Sequence, residues 1–248
     1  MMNNYQNEEI SEHSGNNKLE DAISKPDLSS IESRDPSLSG GFKIIYNKEV
    51  PLDLKHHTNE GIEDFTSFEQ IRFKILSDAT NEEEPPTRVK IELSWDKDLL
   101  FHYTNIIDEQ KFLDIKKKQR FFIDFPEYCN TITKICENCI NNSDMYIGEF
   151  NIEKNGISEL SFFKSTPFKY IDLLLLEFKN SPNDIIRKQM LYKFAYIKSK
   201  LEYNKKVIKT AGDVILECNP DIMNPILDSN DKYSLDIKKF FCNKFEEK

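Results

Sequence analysis

The sequence predicts a mainly β fold with helices, of the α+β class. Three observations carry that reading. Short runs rich in β-branched and aromatic residues recur between Phe42 and Phe178, two pairs of them meet around turn residues, and helical patterns with an acidic start and a basic end interrupt the series. Of 248 residues, 38% are hydrophobic and 31% charged, which suits a soluble domain with polar flanks.

Residues 1–41 hold eight acids against three basic residues and end in Ser39-Gly40-Gly41, so ordering them would cost entropy with little burial. They read as a disordered acidic tail. A head domain is expected over 42–180. Its first strands are Phe42–Tyr46, Val50–Leu54 and Phe68–Leu76, followed by an acidic, proline-bearing loop around Asn81–Pro86. Arg88–Leu93 alternates polar and apolar as a half-buried strand does, and Leu99–Tyr103 is the next strand. Asp108–Lys117, with Phe112 and Ile115 on one side, reads as a short helix aligned with its own dipole. Phe121–Phe125 returns to strand. Pro126 opens a helix whose stripe carries Tyr128, Ile132, Ile135, Cys136 and Cys139. Met145–Ile152 and Ile157–Lys164 form a hairpin around Asn155-Gly156, a pair that tolerates positive φ. A second hairpin turns at Lys164-Ser165-Thr166-Pro167 and returns along Tyr170–Phe178.

Ser181-Pro182-Asn183-Asp184 starts a helix, with a capping hydroxyl, a first-turn proline and an acid. Met190, Phe194, Ile197 and Leu201 follow heptad-like steps that Asn204 or Lys205 interrupts and Gly212 ends, so the expected element is a truncated helix over 181–210 and no long coiled coil. Residues 211–248 form a C-terminal tail. Asn219-Pro220 and Asn224-Pro225 break it, and Ser234–Phe245 is amphipathic.

A net charge of -9 argues against a nucleic-acid or anionic-membrane binder. The basic runs Lys116-Lys117-Lys118 and Lys198–Lys209 read as solvated helix faces. No window of the sequence approaches a membrane span, and cytoplasmic residence is expected. The five cysteines are irregularly spaced, and Cys136-Glu137-Asn138-Cys139 has no second pair or nearby histidine to complete a zinc site. No glycine-rich phosphate loop is present, and His102 has no nucleophile in a fitting context. The expectation is therefore no enzyme, no cofactor and no metal.

Phe168 stands apart, because turn tips are normally polar. Pro167 stiffens the reversal and leaves the next side chain at or near the apex. The ring is either a plug for a partner's pocket or an ordinary core residue folded back under the sheet.

The run Ile107–Leu113 through Lys118–Phe125 resembles the signature of the N-terminal head of the spindle assembly abnormal protein six family, the centriolar cartwheel protein. Leu93–Tyr103 is similar to the family's strand, acidic loop and strand, Val50-Pro51-Leu52 to its first-strand motif, and Thr166-Pro167-Phe168-Lys169 falls at its short turn ending in proline and phenylalanine. The resemblance spans Phe42 to Leu201. It implies a small β-barrel or sandwich with an inserted helical pair, no catalysis, and head-to-head homodimerisation through the hairpin-tip aromatic. That site is Phe168, with Thr166, Pro167 and Lys169 around it. The receiving pocket is expected between the hairpin base and the helices flanking Phe121–Phe125. Lacking a long coiled coil, the chain most resembles the family's coiled-coil-free paralogue, which implies a basal-body, centriolar or apical cytoskeletal location and partners there. The competing reading is a cytosolic adaptor that binds other proteins through its tail or its C-terminal amphipathic helix.

Overall fold

The structure, a computed structural model, describes residues 28–56, 65–79, 85–153 and 156–218. Two compact units divide the chain: Ser33–Tyr192, and Met1–Glu32 together with Lys193–Lys248. In the second unit the described residues form a helical turn, Ser29–Glu32, and the distal part of a long helix. Ser234–Phe245 lies outside the described residues.

Seven strands build the Ser33–Tyr192 unit: β1 (Lys43–His56), β2 (Phe65–Ser77), β3 (Arg88–Ser94), β4 (His102–Asp108), β5 (Tyr146–Ile152), β6 (Ile157–Ser165) and β7 (Tyr170–Asn180). They close into a barrel in the order β1-β2-β3-β4-β7-β6-β5. Every neighbour pair is antiparallel except the closing one, where β1 meets β5 in parallel from Asp53↔Glu149 to His56↔Ile152. Helices α1 (Glu109–Gln119) and α2 (Tyr128–Asn141) are inserted between β4 and β5, and α3 (Asn183–Cys218) follows β7.

Period-two alternation places the core. Val50, Leu52 and Leu54 of β1, Ile71, Phe73 and Ile75 of β2, and Val89, Ile91 and Leu93 of β3 are fully buried. The two runs expected at Phe42–Tyr46 and Val50–Leu54 are one strand, bent by an irregularity between Ile44 and Tyr46. Gly148 of β5 sits so close to the side chains of its two neighbouring strands that a methyl group there would overlap Leu52 Cδ2 of β1 and press on the Phe162 ring of β6. Gly148→Ala is expected to destabilise the barrel by about 1–3 kcal/mol, as overpacking does, read as a lower urea midpoint at unchanged slope.

Five expectations need correction. The strand expected at Leu99–Tyr103 begins at His102, because Asp98 turns the chain by accepting from the Leu100 and Phe101 backbone N–H groups, leaving Leu99 and Leu100 exposed. Phe121–Phe125 is not a strand. Arg120 ends α1 in the left-handed conformation (φ 60°), Asp124 and Glu127 form a capping box around Pro126, and among the described residues no strand pairs with this segment.

The expected tail 1–41 is not uniform. Residues 1–27 lie outside the described residues, whereas Asp35 and Ser37 are buried against the outer face of β2 and β3. Lys74 donates to Asp35 at 2.8 Å and to the Ser37 hydroxyl at 2.9 Å, Gln189 donates to the same hydroxyl at 3.0 Å, and Lys90 pairs with Glu92 at 3.0 Å. This strap buries Lys90 and Glu92, so β3 is covered on both faces rather than half-buried. Finally, α3 does not end at Gly212. It runs 36 residues to Cys218, about 54 Å at 1.5 Å per residue. The steps of four and three continue past Leu201 through Asn204, Ile208 and Ala211, and Phe194, Ile197, Leu201 and Ile208 are all exposed.

Candidate self-association site

The β6–β7 hairpin holds Ser165 opposite Tyr170, and Thr166, Pro167, Phe168 and Lys169 make its tip. Thr166 locks the turn: its backbone N–H donates to the Lys169 carbonyl at 3.1 Å, its hydroxyl donates to the same carbonyl at 2.6 Å, and that hydroxyl accepts from the Lys169 N–H at 3.2 Å. The Ser165 N–H donates to the Met145 carbonyl at 2.7 Å and buttresses the stem from β5's side. On this braced arm the Phe168 ring is 96% exposed. Of its two sequence readings, the folded-back core residue is excluded. Tyr170, Ile171 and Met145 add further exposed apolar surface along the stem.

A cleft of about 550 Å³ opens on the barrel wall between β4, β7 and α1. It exists because β4 and β7 pair only at Tyr103↔Asn180 and Thr104↔Lys179. Beyond those pairs, side chains take the place of the missing strand. The Gln119 amide donates to the Leu175 carbonyl at 2.7 Å and accepts from the Leu175 N–H at 2.9 Å, while Asn105 Nδ2 donates to the Glu177 carbonyl at 2.6 Å. Ile107, Ile115, Ile157 and Leu175 give the cleft apolar walls, and Lys111, Lys118 and Lys179 carry its rim with Asp114 and Glu177.

Phe168 cannot fill the cleft of its own head. Tyr170 and Leu175 are five residues apart along one strand, roughly 17 Å, far beyond the reach of a phenyl side chain.

Two residues of this region escaped the sequence reading. Gln119 ends α1, and Phe122, three peptide steps and at most about 11 Å further on, is 98% exposed while its neighbours Phe121 and Ile123 pack against the core. The signal for Phe122 was its place in an aromatic run. Read as a strand, that run gave Phe122 no distinct direction. The Gln119 contact has no local signature, since its partner is 56 positions away.

Elsewhere, potentially reactive groups are put to structural use. Cys129, Cys136 and Cys139 are buried on α2; burial pushes the Cys129 thiol up to about 11, the Cys139 thiol to about 12 and the Cys136 thiol well above its usual value. His102 is buried with Nδ1 2.8 Å from the Ser181 hydroxyl, so Ser181 ties β4 to the start of α3. Asp78 ties the base of the β2–β3 connection: burial pushes its carboxyl up, but hydrogen bonds from Thr87 and Arg88 outweigh that and hold it at about 2. Among the described residues no group of three or more His, Cys, Asp or Glu side chains is placed to hold a metal ion, and no helix is long and apolar enough to cross a membrane.

Comparison with known proteins places this architecture. The family model of the centriolar protein SAS N-terminal domain matches residues 44–178, more than half of the chain. No curated protein matches the sequence. Among solved structures, an N-terminal fragment of Leishmania SAS-6 containing parts of its coiled-coil domain superposes with a TM-score of 0.59 at 10% identity, over 73% of this chain and 98% of that one. The N-terminal coiled-coil dimer of C. elegans SAS-6 gives 0.54 at 12% identity, over 65% and 94%. The N-terminal domain of C. elegans SAS-6 gives 0.50 at 12% identity, over 57% and 99%. At such identities the likeness is one of fold, and it agrees with the closed barrel and its inserted helical pair. With the model match running from the first strand into the last, the chain belongs to the family of the centriolar protein SAS N-terminal domain.

Proposed function

We propose that this chain is a non-enzymatic self-assembly module of a centriolar, basal-body or apical microtubule-based structure. Two heads pair by reciprocal insertion of Phe168 into the β4–β7 cleft of the other copy. The observation that carries the reading is a phenylalanine 96% exposed on a hydrogen-bonded hairpin, in a molecule whose own apolar cleft it cannot reach. Thr166 and Pro167 hold the ring in its projecting position before contact, which lowers the entropy lost on binding, and Lys169 lies at the edge. Such a contact is isologous: each copy gives a knob and a slot.

The exposed seam of α3 supports a second homotypic contact, a parallel pair of α3 helices. Phe194, Ile197, Leu201 and Ile208 recur at coiled-coil spacing, Asn204 interrupts them with one polar residue, and the solved C. elegans relative is itself a coiled-coil dimer. Each contact alone stops at dimers; two different twofold contacts in one chain allow extended or ring-like assembly. The adaptor alternative rests on tail segments outside the described residues.

Sedimentation velocity of the full chain tests both contacts. The wild-type chain is expected to exceed dimer size as concentration rises. Phe194→Glu with Leu201→Glu is expected to stop at head-paired dimers, and adding Phe168→Glu to leave monomers. A Phe168→Glu chain that assembles like wild type would refute the head contact. Tagging the protein in cells and finding it away from centrioles, basal bodies and the apical end would refute the assigned location.

A further inference from the structure

We propose that Gln119 supports the open stretch of the barrel wall: its side-chain amide stands in for β4 as the hydrogen-bonding neighbour of Leu175 and so maintains the slot that a second copy's Phe168 enters. This rests on the head-pairing reading and adds the residue that shapes the receptor half.

An antiparallel barrel normally satisfies each outward backbone group by the next strand. Here β7 receives that service from β4 at two residues and then loses it. The unpaired stretch of β7 is not left bare. The Leu175 carbonyl and N–H both go to Gln119, and the Glu177 carbonyl goes to Asn105. On the other bank, the Ile106 carbonyl of β4 accepts from Lys111 Nζ at 3.2 Å. Three side chains thus satisfy the backbone groups that the short β4–β7 ladder leaves along the opening.

Gln119 is the central one, because it is the last residue of α1 and that end is fixed. Arg120 caps the helix in the left-handed conformation, and its N–H and that of Phe121 both donate to the Lys116 carbonyl. A rigid helix end therefore presents an amide at the distance a strand would occupy. The chemistry needs glutamine. A planar amide donates and accepts at once, as a peptide group does; a carboxylate only accepts and an ammonium only donates. The slot also keeps an unmet acceptor, since Asn105 Oδ1 is buried with no hydrogen-bond partner among the described residues. The incoming hairpin carries a donor at its tip, the Lys169 ammonium, that matches it in kind.

The test uses the full chain carrying Phe194→Glu and Leu201→Glu, so that head pairing alone is read. Gln119→Leu is expected to raise the head-dimer dissociation constant about tenfold or more, with the thermal midpoint of the monomer little changed. Gln119→Glu is expected to be weakened similarly at about pH 7, where the carboxylate cannot donate, and to return to within about threefold of the parent measured at the same pH near 4, where a protonated carboxyl both donates and accepts. A merely structural role would not produce that recovery. In the monomeric Phe168→Glu background, hydrogen exchange at the Leu175 amide is expected to be slow with Gln119 and fast with Gln119→Leu. Head pairing by Gln119→Leu as tight as the parent's overturns the proposal, as does slow Leu175 exchange without the glutamine. Should Gln119→Leu fail to fold, the Gln119→Glu pH profile decides: weakening that recovers supports the proposal, and a flat profile overturns it. These outcomes are separable from failure of the reading itself, which would show as undiminished pairing by Phe168→Glu.

Discussion

Phe168→Glu is expected to abolish head pairing while leaving the fold intact. A buried phenylalanine removes about 150–250 Å² from water, and a central aromatic anchor contributes roughly 2 kcal/mol or more to an interface. A twofold contact uses the ring twice. Losing both insertions costs about 4 kcal/mol, roughly a thousandfold in dissociation constant. A carboxylate forced into the cleft would meet a further desolvation penalty. Since a small head contact is expected to lie in the micromolar to sub-millimolar range, a thousandfold loss takes it beyond measurable concentrations. The ring is 96% exposed in the monomer, so the thermal midpoint should hardly move. A variant that unfolds, or one that pairs at the parent's concentration, would contradict the account.

Phe150→Ala should do the reverse and destroy the head without touching any exposed residue. Phe150 is fully buried on β5, with its ring edge-on to Phe101 at 5.8 Å, to Tyr103 at 5.0 Å and to Phe178 at 5.9 Å. These residues come from the approach to β4, from β4 itself and from β7, so one ring joins three sides of the barrel. Truncating such a residue costs about 3–5 kcal/mol, part transfer and part cavity. Domains of this kind hold about 5–15 kcal/mol in total, so urea unfolding should shift to a much lower midpoint or already be under way in buffer. A shift equivalent to less than about 1 kcal/mol would show that the aromatic cluster is not what organises the core.

The parts of the fold read correctly from sequence were those whose cause is local. Side-chain parity is a property of one strand, so Val50, Leu52 and Leu54 declare their face without reference to anything else. The Cys136 and Cys139 stripe on α2 is equally self-contained. The family resemblance narrowed the architecture to a barrel or a sandwich and only the structure closed the barrel, because a strand's neighbours are not written in its own residues. Where meaning depends on distant partners, the reading failed. Phe121–Phe125 has strand composition but no strand pairing with it among the described residues. Ser37 looks like a tail residue until Lys74, Glu92 and Gln189 converge on it. Gly212 looks like a stop, yet one glycine costs a helix only about 1 kcal/mol, which the rest of α3 outweighs. The candidate site divides along the same line: the tip is four consecutive residues, whereas the slot draws on β4, α1 and β7.

The parallel closure of β1 against β5 has a consequence for synthesis. Asp53 must wait for Glu149, about a hundred residues later, before the first strand gains its second neighbour. A nascent chain emerging from the ribosome can form the β1–β2–β3–β4 meander early, but its β1 edge stays open until β5 arrives and its β4 edge until β7 does. Premature termination before Tyr146 would therefore yield an aggregation-prone fragment rather than a smaller working head, and chaperone engagement during translation should peak in that interval.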